Sequence, residues 1–224
     1  MALIHAEGAI ASGESEEEDE HRVIRSKTVA NSIKKAYNDK KCRAIILRIN
    51  SGGGSAIASD EIRHEILNAK KQGKKIIISI AGVAASGAYW ISMDADKIVS
   101  NPLAITGSIG VFSGKLVYKS FMSEKLGITE DDIHLGRSTL FSPWHNMDDK
   151  DKQVLNKVVD FFYDSFLQNV ANGRNMELSE VRSLAKGRIY VGYKAREHGL
   201  VDEIGGLSEA INIAKKELNL RPVD

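Results

Sequence analysis

The sequence predicts an α/β fold built around a parallel β-sheet. Short apolar runs that end in turn residues alternate with stretches whose apolar residues recur at helical spacing, and glycine-bearing turns follow two of the runs. A repeat of strand, turn, helix and strand is typical of parallel sheets, because parallel neighbours need a crossover connection. Of the 224 residues, 42% are hydrophobic and 27% are charged, a balance that supports a packed core and excludes general disorder.

The first half of the chain supplies the predicted strands and crossovers. The uncharged run 76–93 is as long as a membrane span, but serine and glycine interrupt it, so we interpret it as a buried strand that turns into a buried helix. In a parallel sheet reactive groups gather at the carboxyl ends of strands, and both glycine turns lie at such ends. Strands are predicted at 3–10, 43–49, 76–80 and 96–100, and helices at 28–37 and 58–72.

The second half is predicted to be mainly helical. Residues 152–170 form a long amphipathic pattern whose apolar stripe includes Phe162 and Phe166. Such a stripe fits packing against the chain's own core or against a neighbouring subunit. Further helices are predicted at 179–186 and 207–218. We therefore expect one domain over 1–224, with an α/β core (1–145), a C-terminal helical extension (146–224) and a mobile acidic loop (13–21).

Composition and residue counts exclude several kinds of protein. Lys and Arg total 31 against 30 Asp and Glu, a net charge of +1, whereas nucleic-acid binding needs clustered excess cations. The single cysteine, Cys42, excludes an internal disulfide and a CxxC site. The histidines have no ligand-like spacing, so we expect no metal and no cofactor. The opening residues MALIHAEGAI lack a basic n-region and an apolar h-region, so we expect this chain to be soluble and without a signal peptide.

The first candidate site segment is NSGGGS (50–55), which lies between a predicted strand and a predicted helix. Adjacent glycines let the backbone approach a ligand closely and point N–H groups at it. Such N–H groups form an oxyanion hole, where negative charge develops during acyl transfer. An ordinary flexible turn also carries this pattern, and the pattern differs from the phosphate-binding glycine motifs.

The second candidate segment is AASGA (84–88), which opens a predicted helix after the strand 76–80. A serine at such a turn has its Oγ near helix N-terminal amides, which favour developing negative charge. The N–H of Gly87 would be a second oxyanion donor, as the residue after a nucleophile often is. From this segment alone, a simple N-cap role for Ser86 is the stronger interpretation.

Taken together, these motifs and two later ones resemble a known family. The order NSGGGSAIASDEI, GVAASGAYWISMDADKI and NPLAITGSIGV, followed by GRIYVGYKAREHGLVDEIGG, is similar to that of bacterial signal peptide peptidases of peptidase family S49 (SppA). The resemblance runs from Leu3 to Leu218 and implies a Clp-protease/crotonase-like superhelical fold. It also implies a serine endopeptidase that cuts membrane-derived peptides, including remnant signal peptides, with a Ser–Lys dyad. By motif match Ser86 is the nucleophile, Gly53 and Gly87 are the oxyanion donors, and Ser108 is the serine that hydrogen-bonds the dyad lysine.

The resemblance has implications for assembly and location as well. It implies a peptide substrate and a ring-like homo-oligomer. It also implies a membrane-associated protein on the extracytoplasmic side, held there by a segment that is not in this chain. The family pattern has proline where Gly52 stands, so a looser glycine turn is expected here.

The lysine of the dyad is where the sequence departs from the family. In short, single-domain members it lies in a segment like GRSTLFSP (136–143), and the corresponding position here is Ser138. No lysine occurs between Lys125 and Lys150, and Arg137 cannot replace it because a guanidinium stays protonated. In long members, built of two homologous halves, the C-terminal half carries the serine and the N-terminal half supplies the lysine. This chain resembles such a C-terminal half, so we expect the general base to come from another half or subunit.

Other interpretations stay open at this point. The base could be Lys115 or Lys119 of the same chain, or the chain could be a catalytically inactive S49 or crotonase-like assembly subunit. A Clp-type Ser-His-Asp peptidase would use His134, with Asp131 and Asp132 nearby. A crotonase-type acyl-CoA enzyme would need a carboxylate base at the glycine turns, and the sequence places none there.

Overall fold

The computed structural model describes residues 1–15, 23–133 and 140–219. Most of the predicted acidic loop, His134, Arg137 and the lysine position at Ser138 lie outside these ranges. Within them, no helix combines the length and the apolar character that crossing a membrane requires.

The chain divides into two compact units. The first comprises Met1–Gly110 and Ser165–Asp224, and the second comprises Val111–Asp164. These bounds differ from the core and extension expected from the sequence, and that assignment stays a prediction. The serines and glycines that the family resemblance implies for catalysis all lie in the first unit.

The strands within the described ranges all belong to the first unit. The predicted strands at 43–49, 76–80 and 96–100 are confirmed. The one predicted at 3–10 is divided at Gly8, whose φ of +105° interrupts the extended backbone. The strands are β1 (Ala2–Glu7), β2 (Ala9–Ala11), β3 (Val23–Arg25), β4 (Ala44–Ser51), β5 (Lys75–Ala85), β6 (Lys97–Ser100), β7 (Ile105–Gly107), β8 (Ile189–Val191) and β9 (Glu203–Ile204).

These strands form one large and one small sheet. The large sheet has the order β1-β4-β5-β6-β9 with parallel pairing throughout, while β7 pairs parallel with β5 and antiparallel with β8. The small sheet is the parallel pair β2-β3. Strand β4 and the first half of β5 are buried, which explains their runs of isoleucine and leucine. The predicted α/β class with a parallel sheet is confirmed.

The helices follow the predicted pattern, with two additions in regions of weak periodicity. Ser55 caps the second helix, because its side chain accepts a hydrogen bond of 3.2 Å from the Ala58 N–H. The helices are α1 (Ser26–Asn38), α2 (Ala56–Lys71), α3 (Gly87–Ser92), α4 (Lys119–Leu126), α5 (Asp149–Arg174), α6 (Leu178–Leu184), α7 (Gly192–Glu197) and α8 (Leu207–Glu217); the additions are α4 and α7.

The core of the first unit lies on both faces of the sheet. Helix α8 packs on one face, where Ile213 meets Ile46, Ile77 and other buried residues of β4, β5 and β6. Since side chains alternate along a strand, Ile45 and Leu47 point to the opposite face, and both are buried. Helices α1 and α2 contact each other and the sheet strands. Each fully buried isoleucine or leucine contributes about 1.5–3 kcal/mol.

The C-terminal motif GRIYVGYKAREHGLVDEIGG (187–206) has a structural role in this unit. Asp202 accepts a hydrogen bond of 2.7 Å from the Ile98 N–H at β6, and its other oxygen lies 2.9 Å from the Arg174 guanidinium at the end of α5. The buried Tyr89 hydroxyl of α3 donates to the Leu200 carbonyl at 2.9 Å. These bonds tie α3, α5 and β6 to the segment before β9.

Candidate active site

A bulge in β5 brings the Ser86 segment next to the glycine turn. Strand β5 pairs with β6 at its first half and with β7 over its last three residues. Opposite β4, Ile49 faces Ile80 and Ser51 faces Ala84, so two steps on β4 correspond to four on β5. The two extra residues swing the end of β5 away from β6 and toward β7.

The Asn50 side chain closes this bulge. Its Oδ1 accepts a hydrogen bond of 3.2 Å from the Val83 N–H, and its Nδ2 donates to Glu7 Oε1 at 3.1 Å. One amide therefore joins the ends of β1, β4 and β5. This role explains the asparagine that precedes the glycine turn, a residue to which the sequence reading gave no function.

Ser86 occupies a sharp turn between β5 and α3. Its φ of +53° and ψ of −121° are unusual for a residue with a side chain. The backbone is held in place, because the Ser86 N–H donates to the Gly107 carbonyl at 2.9 Å and its carbonyl accepts from the Trp90 N–H at 2.9 Å. The side chain makes no capping hydrogen bond to α3. The strand–turn–helix geometry is the one in which nucleophilic serines occur, and simple capping does not account for Ser86.

The glycine turn lies directly against Ser86. A Cβ placed on Gly53, whose φ is +103°, would lie 2.7 Å from the Gly87 nitrogen and 2.9 Å from the Ser86 Cβ. A Cβ placed on Gly87 would lie 2.5 Å from Ser59 Oγ and 3.2 Å from the Gly54 nitrogen. Backbone approaches this close require glycine at both positions. Three of the predicted site residues are thus in contact distance of one another.

The hydrogen bonds of the glycine turn separate its N–H groups into bonded and unbonded ones. The Gly53 N–H, the donor expected from the family motif, donates to Ser51 Oγ at 3.0 Å. Among the described residues, no acceptor is found for the N–H groups of Gly54 and Gly87. Gly54 therefore joins the candidate oxyanion donors, and it was not singled out from the sequence. A serine two residues before a glycine N–H was the signal, since serine hydroxyls often bond the backbone two residues on.

Ser108 lies at the neighbouring strand end. The register pairs Ala85 with Gly107, so Ser86 and Ser108 follow at equivalent positions of adjacent parallel strands. Ser108 also has a positive φ of 50°, and its N–H donates to the Arg188 carbonyl at 2.7 Å. The structure thus brings Ser108 beside the Ser86 turn.

Several lysines of the first unit are placed too far away to serve Ser86. Lys75 begins β5 whereas Ser86 follows its last residue, a separation of roughly 30 Å at the rise of an extended strand. Lys70 and Lys74 are at the same end, where their Nζ atoms bond the backbone carbonyls of Asp94 and Cys42.

The candidates for a base that the sequence singled out within this chain lie in the second unit or outside the described residues. Lys115 and Lys119 belong to the second unit, and Lys119 begins α4. Asp132, which the histidine hypothesis would use, lies 2.5 Å from His145 Nε2. Together with Glu130 these two residues place potential metal-ligating atoms within 4.8 Å of one another at the surface, and the expected absence of a metal stays a prediction.

Comparisons with known proteins find relatives that are named as proteases. Protease 4 of Haemophilus influenzae is 38% identical over 99% of this chain, and a putative signal peptide peptidase SppA of Enterococcus faecium is 40% identical over 84% of it. The chain spans 35% of the first protein and 55% of the second. A putative protease of Synechocystis is 32% identical over 99% of the chain, which spans 76% of that protein.

The fold and the family follow from two further comparisons. A ClpP1 mutant of Listeria monocytogenes superposes with a TM-score of 0.62 at 14% identity, covering 93% of this chain and 94% of the other. The expected Clp-protease-like fold is therefore confirmed. The family model described as Peptidase family S49 matches residues 68–221, which include Ser86 and Ser108, while the relatives cover the glycine turn as well. On these grounds, this chain belongs to peptidase family S49.

Proposed function

We propose that this chain is the serine-bearing part of an endopeptidase that hydrolyses membrane-derived or signal peptides through a Ser86 acyl-enzyme. The observation that carries the proposal is the Ser86 turn. Its side chain makes no capping bond, its backbone is in a rarely used conformation, and it lies against glycines whose N–H groups lack acceptors among the described residues. Membership of family S49 supports the same reaction.

The proposed reaction is acyl transfer followed by hydrolysis. Ser86 Oγ attacks the scissile carbonyl carbon while a general base takes the hydroxyl proton. The carbonyl oxygen becomes an oxyanion, the C–N bond then breaks, and the base returns the proton to the leaving amine. Water, deprotonated by the same base, attacks the acyl-enzyme and releases the second product and Ser86.

Backbone N–H groups would stabilise the oxyanion in both steps. The Gly87 N–H is one donor, as expected from the sequence. The glycine turn supplies the other, and Gly54 is the better placed of the two candidates because the Gly53 N–H is already bonded to Ser51. For Gly53 to donate, its bond to the Ser51 hydroxyl would first have to break. A donor of this kind is worth about 10²–10³ in kcat.

The general base is a lysine supplied by another half or subunit, with Ser108 accepting a hydrogen bond from its ammonium. Support comes from the sequence, which has Ser138 at the expected lysine position, and from three described lysines, Lys70, Lys74 and Lys75, which lie at the far end of β5. The chain also spans only about a third to a half of two of its relatives. Desolvation in the assembled site would lower the pKa of such a lysine enough for it to accept a proton.

A homo-oligomer would provide neighbouring subunits around this site. Within the second unit, the side chains of Phe112 and Ile133 are 93% and 98% exposed, and Phe141 and Phe161 are also exposed. Large exposed apolar side chains at this density are typical of surfaces that another subunit covers. Attachment to the membrane, on its extracytoplasmic side, would use a segment outside this chain.

Covalent labelling tests the nucleophile. With the protein as the cell makes it, any lysine-bearing partner present, a peptidyl diphenyl phosphonate should add one adduct to the wild-type chain, seen by intact mass, and the modified peptide should contain Ser86. Ser86→Ala should take up none, while Ser123→Ala, which removes an exposed serine of the second unit, should label like wild type. Equal labelling of Ser86→Ala and wild type would remove Ser86 from the nucleophile role.

An inactive assembly subunit is the second candidate, because the lysine position is occupied by Ser138 and the neighbouring Arg137 cannot act as a base. The two candidates differ when the protein is assayed as the cell makes it, with any lysine-bearing partner present. Turnover of a quenched fluorogenic signal-peptide substrate that Ser86→Ala abolishes supports the peptidase. No turnover under these conditions supports the assembly subunit.

A further inference from the structure

Ser51 is a buried hydroxyl that the reaction described above does not use. It ends β4, is 3% exposed, and accepts the Gly53 N–H hydrogen bond of 3.0 Å. A buried polar group of this kind is costly unless it is satisfied, so the bond is a fixed element of the turn.

The bond fixes one of the two peptide planes in the glycine turn. The Gly53 N–H belongs to the plane that joins Gly52 and Gly53, and in a trans peptide the N–H and C=O point in opposite directions. The Gly52 carbonyl therefore points away from Ser51. A Cβ placed on Gly52 would meet no atom within 4 Å, so packing around that position does not hold the turn.

The second plane is fixed from the other side. The Ile10 N–H donates to the Gly53 carbonyl at 2.9 Å, and the Ser55 N–H donates to the Ile10 carbonyl at 2.9 Å. The Gly53 carbonyl shares its peptide plane with the Gly54 N–H, so the Gly54 N–H points away from Ile10. Both planes of a segment with three consecutive glycines are thus held, one by Ser51 and one by Ile10.

We propose that Ser51 is a positioning residue that holds the glycine turn in the conformation in which Gly54, rather than Gly53, offers its N–H to the substrate carbonyl. Without the hydroxyl, the plane between Gly52 and Gly53 is free to rotate, because glycine populates positive and negative φ about equally. The turn would then be held on the Ile10 side alone, so the Gly54 N–H would be fixed less closely in its position at the oxyanion. The inference rests on the proposed peptidase function, and it extends that function to a residue that does not touch the substrate.

The test compares variants with and without the hydroxyl in the protein as the cell makes it. Ser51→Ala should lower kcat by roughly tenfold to a hundredfold, less than the loss of a whole donor, with KM nearly unchanged. Affinity for a peptide aldehyde, whose hemiacetal oxygen occupies the oxyanion position, should fall by the same factor. Ser51→Thr keeps the hydroxyl and should restore kcat. Ser51→Val has the shape of threonine without the hydroxyl and should not restore it.

A control and a second readout separate this role from general destabilisation. Ser79→Ala removes a buried hydroxyl from the middle of β5, where it accepts a hydrogen bond of 2.7 Å from the Arg48 guanidinium, so it should lower stability but leave kcat unchanged. Amide hydrogen exchange at Gly53 should be at least roughly tenfold faster in Ser51→Val than in Ser51→Thr, because only the threonine offers an acceptor.

The outcomes distinguish failure of the inference from failure of the proposed function. If wild type is active and the kcat of Ser51→Val lies within twofold of the kcat of Ser51→Thr, the positioning role is overturned. Equal Gly53 exchange in the two variants overturns the underlying hydrogen bond. If wild type cleaves no peptide while exchange at Gly53 still depends on the hydroxyl, the proposed function fails and Ser51 has a structural role only.

Discussion

The Gly53→Ala variant adds one methyl group at the point where the glycine turn meets Ser86. The new Cβ would lie 2.7 Å from the Gly87 nitrogen, 2.8 Å from the Ala85 carbonyl oxygen and 2.9 Å from the Ser86 Cβ. The first two are backbone atoms and the third is the first atom of a side chain, so rotating a flexible side chain cannot relieve the overlap. Gly52→Ala is the matched control, because its Cβ would meet no atom within 4 Å.

Two costs add in Gly53→Ala. A residue with a side chain at a φ of +103° costs about 1–2 kcal/mol, and forcing a methyl group into a packed site costs about 1–3 kcal/mol more. We therefore expect a loss of about 2–5 kcal/mol in the free energy of unfolding. Gly52 has no positive φ, so its alanine variant should be neutral or should stabilise the fold by about 0.4–1 kcal/mol through the unfolded chain.

Urea unfolding followed by circular dichroism measures both variants, and phosphonate labelling of Ser86 measures the site. Gly53→Ala should label at least roughly tenfold more slowly even where it is fully folded, since the methyl group displaces the Ser86 turn. If the unfolding free energies of Gly53→Ala and Gly52→Ala lie within about 0.5 kcal/mol of each other, the close approach of Gly53 to the Ser86 turn is refuted.

Further predictions concern the bonds that hold the first unit together. Asp202→Ala leaves the buried Arg174 guanidinium without its carboxylate and should lower the free energy of unfolding in urea by about 3 kcal/mol. Glu203→Ala removes an ion pair that is about half exposed and should lower it by under about 1 kcal/mol. Tyr89→Phe leaves a buried carbonyl without its donor and should cost about 1–3 kcal/mol by the same measurement. A hydrogen bond with Glu217 raises the pKa of Lys75, so the pair stabilises the fold below the unfolded-state value of about 10.4 and loses this effect as the pH rises through the folded-state value. The stability difference between wild type and Lys75→Met should accordingly shrink in unfolding measurements at strongly alkaline pH, and a difference independent of pH would contradict the assignment.

Much of the fold was predictable because its elements carry strong local patterns. The buried strands of the sheet are continuous apolar runs, and α2 and α8 have regular helical spacing, so their existence did not depend on distant contacts. Helix α4 was missed because none of its residues is buried, which leaves no apolar periodicity to read. The division of the first strand at Gly8 was also missed, since one glycine within an apolar run has several structural meanings.

The candidate site was predictable in its residues but not in its arrangement. Ser86 and the glycine turn stand out as motifs, yet local sequence does not reveal that β5 leaves β6 for β7 after a bulge. The hydrogen bond between Ser51 and Gly53 joins residues two positions apart, so the local sequence could have indicated it. Pairing between distant strands decides the course of β5, and periodicity along one segment contains no information about that pairing.

The antiparallel pairing of β7 with β8 determines when, during synthesis, the support of the Ser86 turn is complete. The Ser108 N–H bonds the carbonyl of Arg188, and Gly107 lies opposite Ile189, so the last support of the Ser86 turn leaves the ribosome about a hundred residues after Ser86 itself. At about 5–20 residues per second, a nascent chain spends about 5–20 seconds with Ser86 already synthesised but without this support. Under the proposed function, the Ser86 turn would therefore be complete only after the C-terminal part of the first unit has folded.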